Sequence, residues 1–195
     1  MEFAPEDVEP SDTARAIKTL VTPRPIAWVS SRSTDGVDNL APFSAYNYAA
    51  HVPPVLHFST SRRDGDLKDT ATNAVETAEF AVNVVTEPQI EAMDRTSEGL
   101  PAEESEFEHV GIERAACAVI DAPRVADAAA TMECRLHDTV EVYDRLVIYG
   151  EVVYVHVDDD LLIEGKVDSR AVDTVGRLGG PYYTVSDPLP FERQY

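Results

Sequence analysis

Arg24, Ser44 and Asn47 stand in two neighbouring segments whose backbones are stiff or small. The first is Thr22-Pro23-Arg24-Pro25-Ile26-Ala27-Trp28-Val29-Ser30-Ser31, and the second is Asn39-Leu40-Ala41-Pro42-Phe43-Ser44-Ala45-Tyr46-Asn47. Pro23, Pro25 and Pro42 fix their own φ and restrict the residue before them. A cation, a hydroxyl and a carboxamide on such a rigid shelf suit a planar, partly anionic ligand.

Charge points the same way. Residues 15–63 carry six basic side chains (Arg15, Lys18, Arg24, Arg32, Arg62, Arg63) against two acidic ones, Asp35 and Asp38, in a chain of formal net charge −20. Two arrangements account for such an island: an anionic ligand, a phosphate above all, or pairing with the acidic surface of this or another subunit. Lys68 and Thr70 are expected in the first turn of a helix, where backbone N–H groups, ammonium and hydroxyl can converge on a phosphate.

Other chemistries lack their spacing. Ser30, Ser31 and Ser44 lie in no G-x-S-x-G turn, and neither Cys117 nor Cys134 has a neighbouring base or a CxxC partner. The five histidines (His51, His57, His109, His137, His156) show no metal-ligand spacing, and His57 and His156 read as ordinary strand histidines. The run Asp158-Asp159-Asp160 lacks the EF-hand pattern and reads as a solvated hairpin tip. Neither G-x-G-x-x-G nor a P-loop is present, so a nucleotide must bind on another architecture.

The elements that must position these groups are mostly strands. Asp35-Gly36 predicts a hairpin between strands over 26–32 and 37–43. A helix over 12–20, capped by Ser11, precedes it, with Ala16, Ile17 and Leu20 on one face. Pro53-Pro54 stiffens the approach to a strand over 55–59. Asp66 is the expected N-cap of a helix with Leu67, Ala71, Ala74, Val75 and Ala78 as its stripe. A strand over 80–85, a helix over 88–97 and an acidic surface excursion over 98–114 follow. Strands over 131–143, with Met132, Cys134, Leu136, Thr139 and Val142 as core contributors, and over 146–157, buried on both sides or wrapping a barrel, come next. A loop-like aromatic tail over 175–183 ends the pattern. Together these predict one mainly β domain over 1–195, an antiparallel barrel whose strand order the sequence does not fix.

Composition bounds the setting. There are 36 Asp and Glu against 16 Lys and Arg, three of them lysines, and the isoelectric point is near 4.4. This disfavours nucleic acid or an anionic membrane as partner, and it resembles surfaces of proteins from salt-loving organisms. No stretch approaches a membrane span and the acidic start is no signal peptide, so a cytoplasmic location with free buried thiols is expected.

Several segments, taken in order, carry a resemblance: Thr22 to Ser30, Asn39 to Ser44 with Asn47, Pro53-Pro54, Leu67-Lys68-Asp69-Thr70, Phe80-Ala81-Val82-Asn83-Val84, Glu133-Cys134-Arg135-Leu136 and Gly176 to Tyr183. From about residue 14 to 184 the chain resembles the flavin reductase-like family, in its flavoredoxin-type branch. The resemblance implies an FMN-binding split barrel, a six-stranded Greek-key barrel with flanking helices. It also implies a homodimer with flavin near the interface and hydride transfer from NAD(P)H to FMN, with FAD possible. The flavin ring would lie against Phe43, Ser44, Ala45, Tyr46 and Asn47. Its phosphate would meet Arg24, Ser61, Arg62, Lys68 and Thr70, and Arg177 and Tyr182 would close the site from the C-terminal loop, within the chain or across the dimer. No catalytic residue is assigned, because the cofactor supplies the chemistry. Trp28 is expected in the core rather than beside the flavin. The acidic 98–109 insert has no assigned role. A monooxygenase or electron-transfer partner would take the electrons. The alternatives are a non-enzymatic FMN electron carrier, a pyridoxamine-phosphate-oxidase-type enzyme, and a barrel serving only as an interaction module.

Overall fold

The computed structural model describes residues 2–62 and 65–191. Helix α1 (Pro10–Leu20) starts with Pro10 in its first turn, where a missing N–H costs nothing. The expected Ser11 cap does not form; Glu9 is the N-cap and Ser11 lies inside the helix. Strands β1 (Arg24–Pro25), β2 (Ala27–Arg32) and β3 (Asp38–Phe43) follow, and Gly36 closes the β2–β3 turn at φ +85°, a conformation that favours glycine. The Asp35-Gly36 hairpin is therefore as expected.

The next hairpin is not. Strand β4 (Tyr46–His51) pairs with β5 (Pro54–Ser61), so Pro53-Pro54 belongs to a tight connection between two strands. Helix α2 (Asp69–Glu76) has Lys68, not Asp66, as its N-cap. Strand β6 (Glu79–Val84) leads to a 3₁₀ turn closed by a Thr86/Gln89 capping box and then to α3 (Ile90–Arg95). The acidic excursion is not all surface. It contains α4 (Glu106–Val110), whose Glu106 and Phe107 are buried.

After the short pair β7 (Arg114–Ala115) and β8 (Arg124–Val125) come the two long strands β9 (Ala130–Val142) and β10 (Arg145–Val157). Small pairs end the chain: β11 (Leu162–Ile163) with β12 (Lys166–Val167), and β13 (Val175–Arg177) with β14 (Tyr183–Val185), the latter joined by β1. The tail is thus partly a sheet.

The main sheet has seven antiparallel strands in the order β3-β2-β6-β9-β10-β5-β4. Its two edge strands are joined by Ser44-Ala45 alone. Flat, those edges would lie about 29 Å apart at the usual strand spacing, whereas two residues bridge only about 10 Å. The sheet must therefore curl on itself. This places Phe43 to Asn47 at the seam of the barrel.

Two apolar layers result. Val29, Phe58, Phe80 and Ile148 fill the barrel, with the Phe58 ring 4.7 Å from Phe43 and 5.4 Å from Phe80. Outside it, Trp28, Leu40, Met93 and Phe107 join β2 and β3 to α3 and α4. Trp28 is a core residue, as expected, and its indole N–H donates to Thr96 Oγ1 at 2.9 Å. At Gly150 any Cβ would collide with the Phe80 ring, so this mid-strand glycine permits the barrel's close packing.

Glu133 is fully buried on β9. It accepts from Ala118 N–H, from Val119 N–H at 2.8 Å and contacts His156 Nε2 at 2.6 Å, tying the 118–119 loop to the barrel. Burial alone would raise its pKa, but these hydrogen bonds hold it below the usual carboxylate range.

Both cysteines are free: Cys134 is buried and Cys117 partly so, its thiol pushed up to about 12 by burial and then by Glu133. Val142, an expected core residue, is exposed, and so are Tyr154 and Val155 toward the far end of β10, the strand expected to be buried on both sides or to wrap a barrel.

Candidate functional site

Alternation along β5 sorts its side chains. Leu56 and Phe58 are buried, while His57, Ser59 and Ser61 share the other face. The ladder gives each a row. Asn47, His57 and Tyr149 lie side by side; Ser59 pairs with Val147; Ser61 pairs with Arg145. Above these rows lies a cleft of about 810 Å³, walled by the end of α1, by Pro42 to Asn47 and by Lys68. That volume is within the range of small-molecule sites.

The charge of the cleft is its clearest feature. Lys18, Arg24, Lys68 and Arg145 line it, and no Asp or Glu does so among the described residues. In a chain of net charge −20 this surface is set apart for an anion.

The individual groups differ in freedom. The Lys68 carbonyl accepts from Ala71 and Thr72 N–H at the start of α2, while its ammonium has no hydrogen bond or ion pair among the described residues. Arg145 donates Nε–H to Ser59 Oγ at 3.0 Å and Nη2–H to Ser59 O at 2.9 Å, which fixes its guanidinium in the cleft. Arg24 is a clamp. It donates to the carbonyls of Lys18, of Val21 at 2.9 Å and of Leu178 at 3.2 Å, fastening α1 and the C-terminal loop to the cleft wall. Burial, and then Arg177, lowers its pKa.

His57 Nδ1 is buried with no partner among the described residues, and burial pushes the imidazole pKa down. Its ring lies 5.7 Å from that of Tyr149. Such an orphaned buried nitrogen calls for a ligand or water.

The expected ring-facing segment does line the cleft: Phe43, Ser44, Ala45, Tyr46 and Asn47 are all there, and so is Ser61. Tyr46 packs on the barrel core, and burial pushes its phenol up to about 12. Asn47 Oδ1 accepts from Tyr48 N–H at 2.8 Å, which leaves its amide hydrogens to face outward.

Four of the expected residues lie outside this cleft. Arg62 is committed elsewhere, in a 2.6 Å ion pair with Glu141. Thr70 is 2% exposed, and its hydroxyl donates to Asn39 Oδ1 at 2.7 Å, so it is a core contact and does not line the cleft. Arg177 lines a neighbouring hollow of about 470 Å³. There it donates to Tyr183 Oη and to Gly180 O at 2.8 Å. Tyr182 is 67% exposed and lines neither space.

Conversely, Lys18, His57, Arg145 and Tyr149 belong to the cleft but not to the expected set. Lys18 was visible within the cationic island. The others meet only through the β4-β5-β10 pairing.

The description "Flavin reductase like domain" matches residues 20–171. The chain belongs to this family. A protein of Aquifex aeolicus is 42% identical over 185 residues, 94% of each chain. Nitrilotriacetate monooxygenase component B from Bacillus cereus superposes with a TM-score of 0.93 at 31% identity, covering 99% of this chain and 98% of that one. A split-barrel-domain protein from Shewanella frigidimarina superposes with a TM-score of 0.87 at 24% identity, with both chains wholly covered. The curled antiparallel sheet of this flavin reductase-like chain is that split barrel.

A flavin fits the residues present. Lys68, Arg145 and Ser61 offer a phosphate two cations and a hydroxyl. Ser44, the Asn47 amide and the unpartnered His57 nitrogen offer hydrogen bonds to a polar ring edge, and Phe43 and Pro42 offer flat apolar contact.

Proposed function

We propose that the protein is an FMN-binding reductase that takes hydride from NAD(P)H and passes reduced flavin, or its electrons, to a partner. The observation that carries this reading is the carboxylate-free cleft with its four cations. FMN, when bound, supplies the hydride acceptor and the two-electron chemistry. Lys68, Arg145 and Ser61 would hold its phosphate, and Phe43 to Asn47 would orient its ring. Positioning of the flavin against Phe43 and His57 would supply most of the rate effect. No side chain is needed as acid or base.

The Bacillus cereus neighbour, named as a monooxygenase component, supports a monooxygenase as the recipient of reduced flavin. Homodimerisation is supported by the apolar end of α1, where Ile17, Leu20 and Val21 are 57%, 79% and 57% exposed beside the cleft. No helix among the described residues is long and apolar enough to cross a membrane, and a cytoplasmic location accords with the free thiols. The charge balance supports work in high salt.

Visible absorbance tests the activity. Protein loaded with FMN should bleach when NADH or NADPH is added anaerobically. Flavin that binds yet stays oxidised with both donors would favour the electron-carrier alternative. Protein that binds no FMN contradicts the proposal.

A further inference from the structure

Beyond Lys68 the surface changes sign. A second hollow of about 310 Å³ shares Pro42, Phe43 and Lys68 with the main cleft. Asp66, Asp69, Glu98 and Glu106 line it, and Lys68 is its only cation among the described residues. Glu106 accepts from the Asn39 side-chain amide and from Leu40 N–H, each at 3.0 Å, and so anchors the acidic insert to β3. Burial, against those bonds, pushes its pKa up. Glu98 sits 3.2 Å from His109 Nε2 at the open side. Asp66 and Asp69 are exposed around the start of α2.

We infer that this acidic rim makes the site selective for a flavin mononucleotide over a flavin dinucleotide. The inference rests on the reading of the main cleft as a flavin site. A mononucleotide ends in one phosphate, which Lys68, Arg145 and Ser61 can neutralise. The space that continues from the main cleft past Lys68 is the hollow lined by carboxylates, so a dinucleotide whose second phosphate and nucleoside follow that path meets them. There, among the described residues, the second phosphate finds like charge and no unshared cation. The hollow is roomy enough, at about the lower size of ligand sites, so rejection is by charge rather than by volume. The acidic insert thereby gains a role: Glu106 anchors it and Glu98 presents its charge to the rim.

Charge-based exclusion has two signatures: it weakens with salt, and it weakens when the carboxylates are neutralised. The test is fluorescence titration of the full chain with FMN and with FAD, at low and high sodium chloride. It is run on wild type and on Asp66→Asn/Glu98→Gln, two exposed positions whose neutralisation leaves the core untouched. Wild type at low salt should bind FMN roughly tenfold or more tighter than FAD, the scale of one or two like-charge contacts. The double variant should narrow that ratio about fivefold, and high salt should narrow it in wild type. A wild-type ratio near one, or a ratio that neither change moves, overturns the rim while leaving the flavin reading intact. Failure to bind either flavin overturns the flavin reading itself.

Discussion

Arg62 and Arg145 have the same side chain and lie at neighbouring strand ends, yet they have opposite fates. Arg62 pairs with Glu141 outside the cleft, whereas Arg145 is braced by Ser59 inside it. A hydrogen bond to a charged group contributes about 1.5–3 kcal/mol, so Arg145→Met should weaken FMN binding about tenfold or more. Arg62→Met should change it by less than about twofold, as expected of an exposed ion pair. Fluorescence titration checks both, and equal losses would return Arg62 to the site. At this scale Ser44, Asn47, Ser61 and Lys68, each in or beside a local motif of the sequence, do line the cleft. Arg145 and Tyr149 were illegible, since only the β5–β10 register brings them to Ser61 and His57. Thr70 misled because its place at a helix start says nothing of which way its hydroxyl points.

At the scale of elements, the Glu133 lock shows how a buried charge holds a loop. Its pKa is held low, so the unfolded chain binds more protons than the folded one as pH falls below the ordinary carboxylate value. Its stabilisation is complete above that value and is lost as pH falls through the lower folded pKa. Urea unfolding should therefore show Glu133→Gln less stable than wild type by about 2–4 kcal/mol at pH 7. The gap should shrink as pH falls below the ordinary carboxylate value of about 4.5 and on through the lower folded pKa; a gap independent of pH would contradict the assignment. The Asp35-Gly36 turn signal disclosed the β2–β3 hairpin, and alternation and runs of β-forming residues disclosed the long strands β9 and β10. Strand β4 was hidden because its Tyr-Asn-Tyr-Ala-Ala-His run is largely solvent-facing and lacks alternation. Helix α4 was hidden because an acidic stretch usually marks surface, whereas here Asn39 and Leu40 satisfy the Glu106 carboxylate.

For the whole molecule, the barrel followed from many short β signals and one domain's worth of chain, but the strand order required the seam at Ser44-Ala45. A net charge of −20 strains the compact state by self-repulsion, which salt screens. The thermal midpoint should rise on the order of 5 °C between 0.1 M and 2 M potassium chloride, which for a chain of this size corresponds to about 1–2 kcal/mol. No change would contradict self-repulsion as a limit on the stability of this chain. Within that acidic whole, the cationic cleft is the exception, and its purpose is the central claim. The most direct test compares FMN with riboflavin, which differ only in the phosphate, on wild type and on Lys68→Ala. The account predicts that Lys68→Ala weakens FMN binding roughly 10–100-fold and riboflavin binding far less. Equal losses for the two ligands would contradict a phosphate site at Lys68.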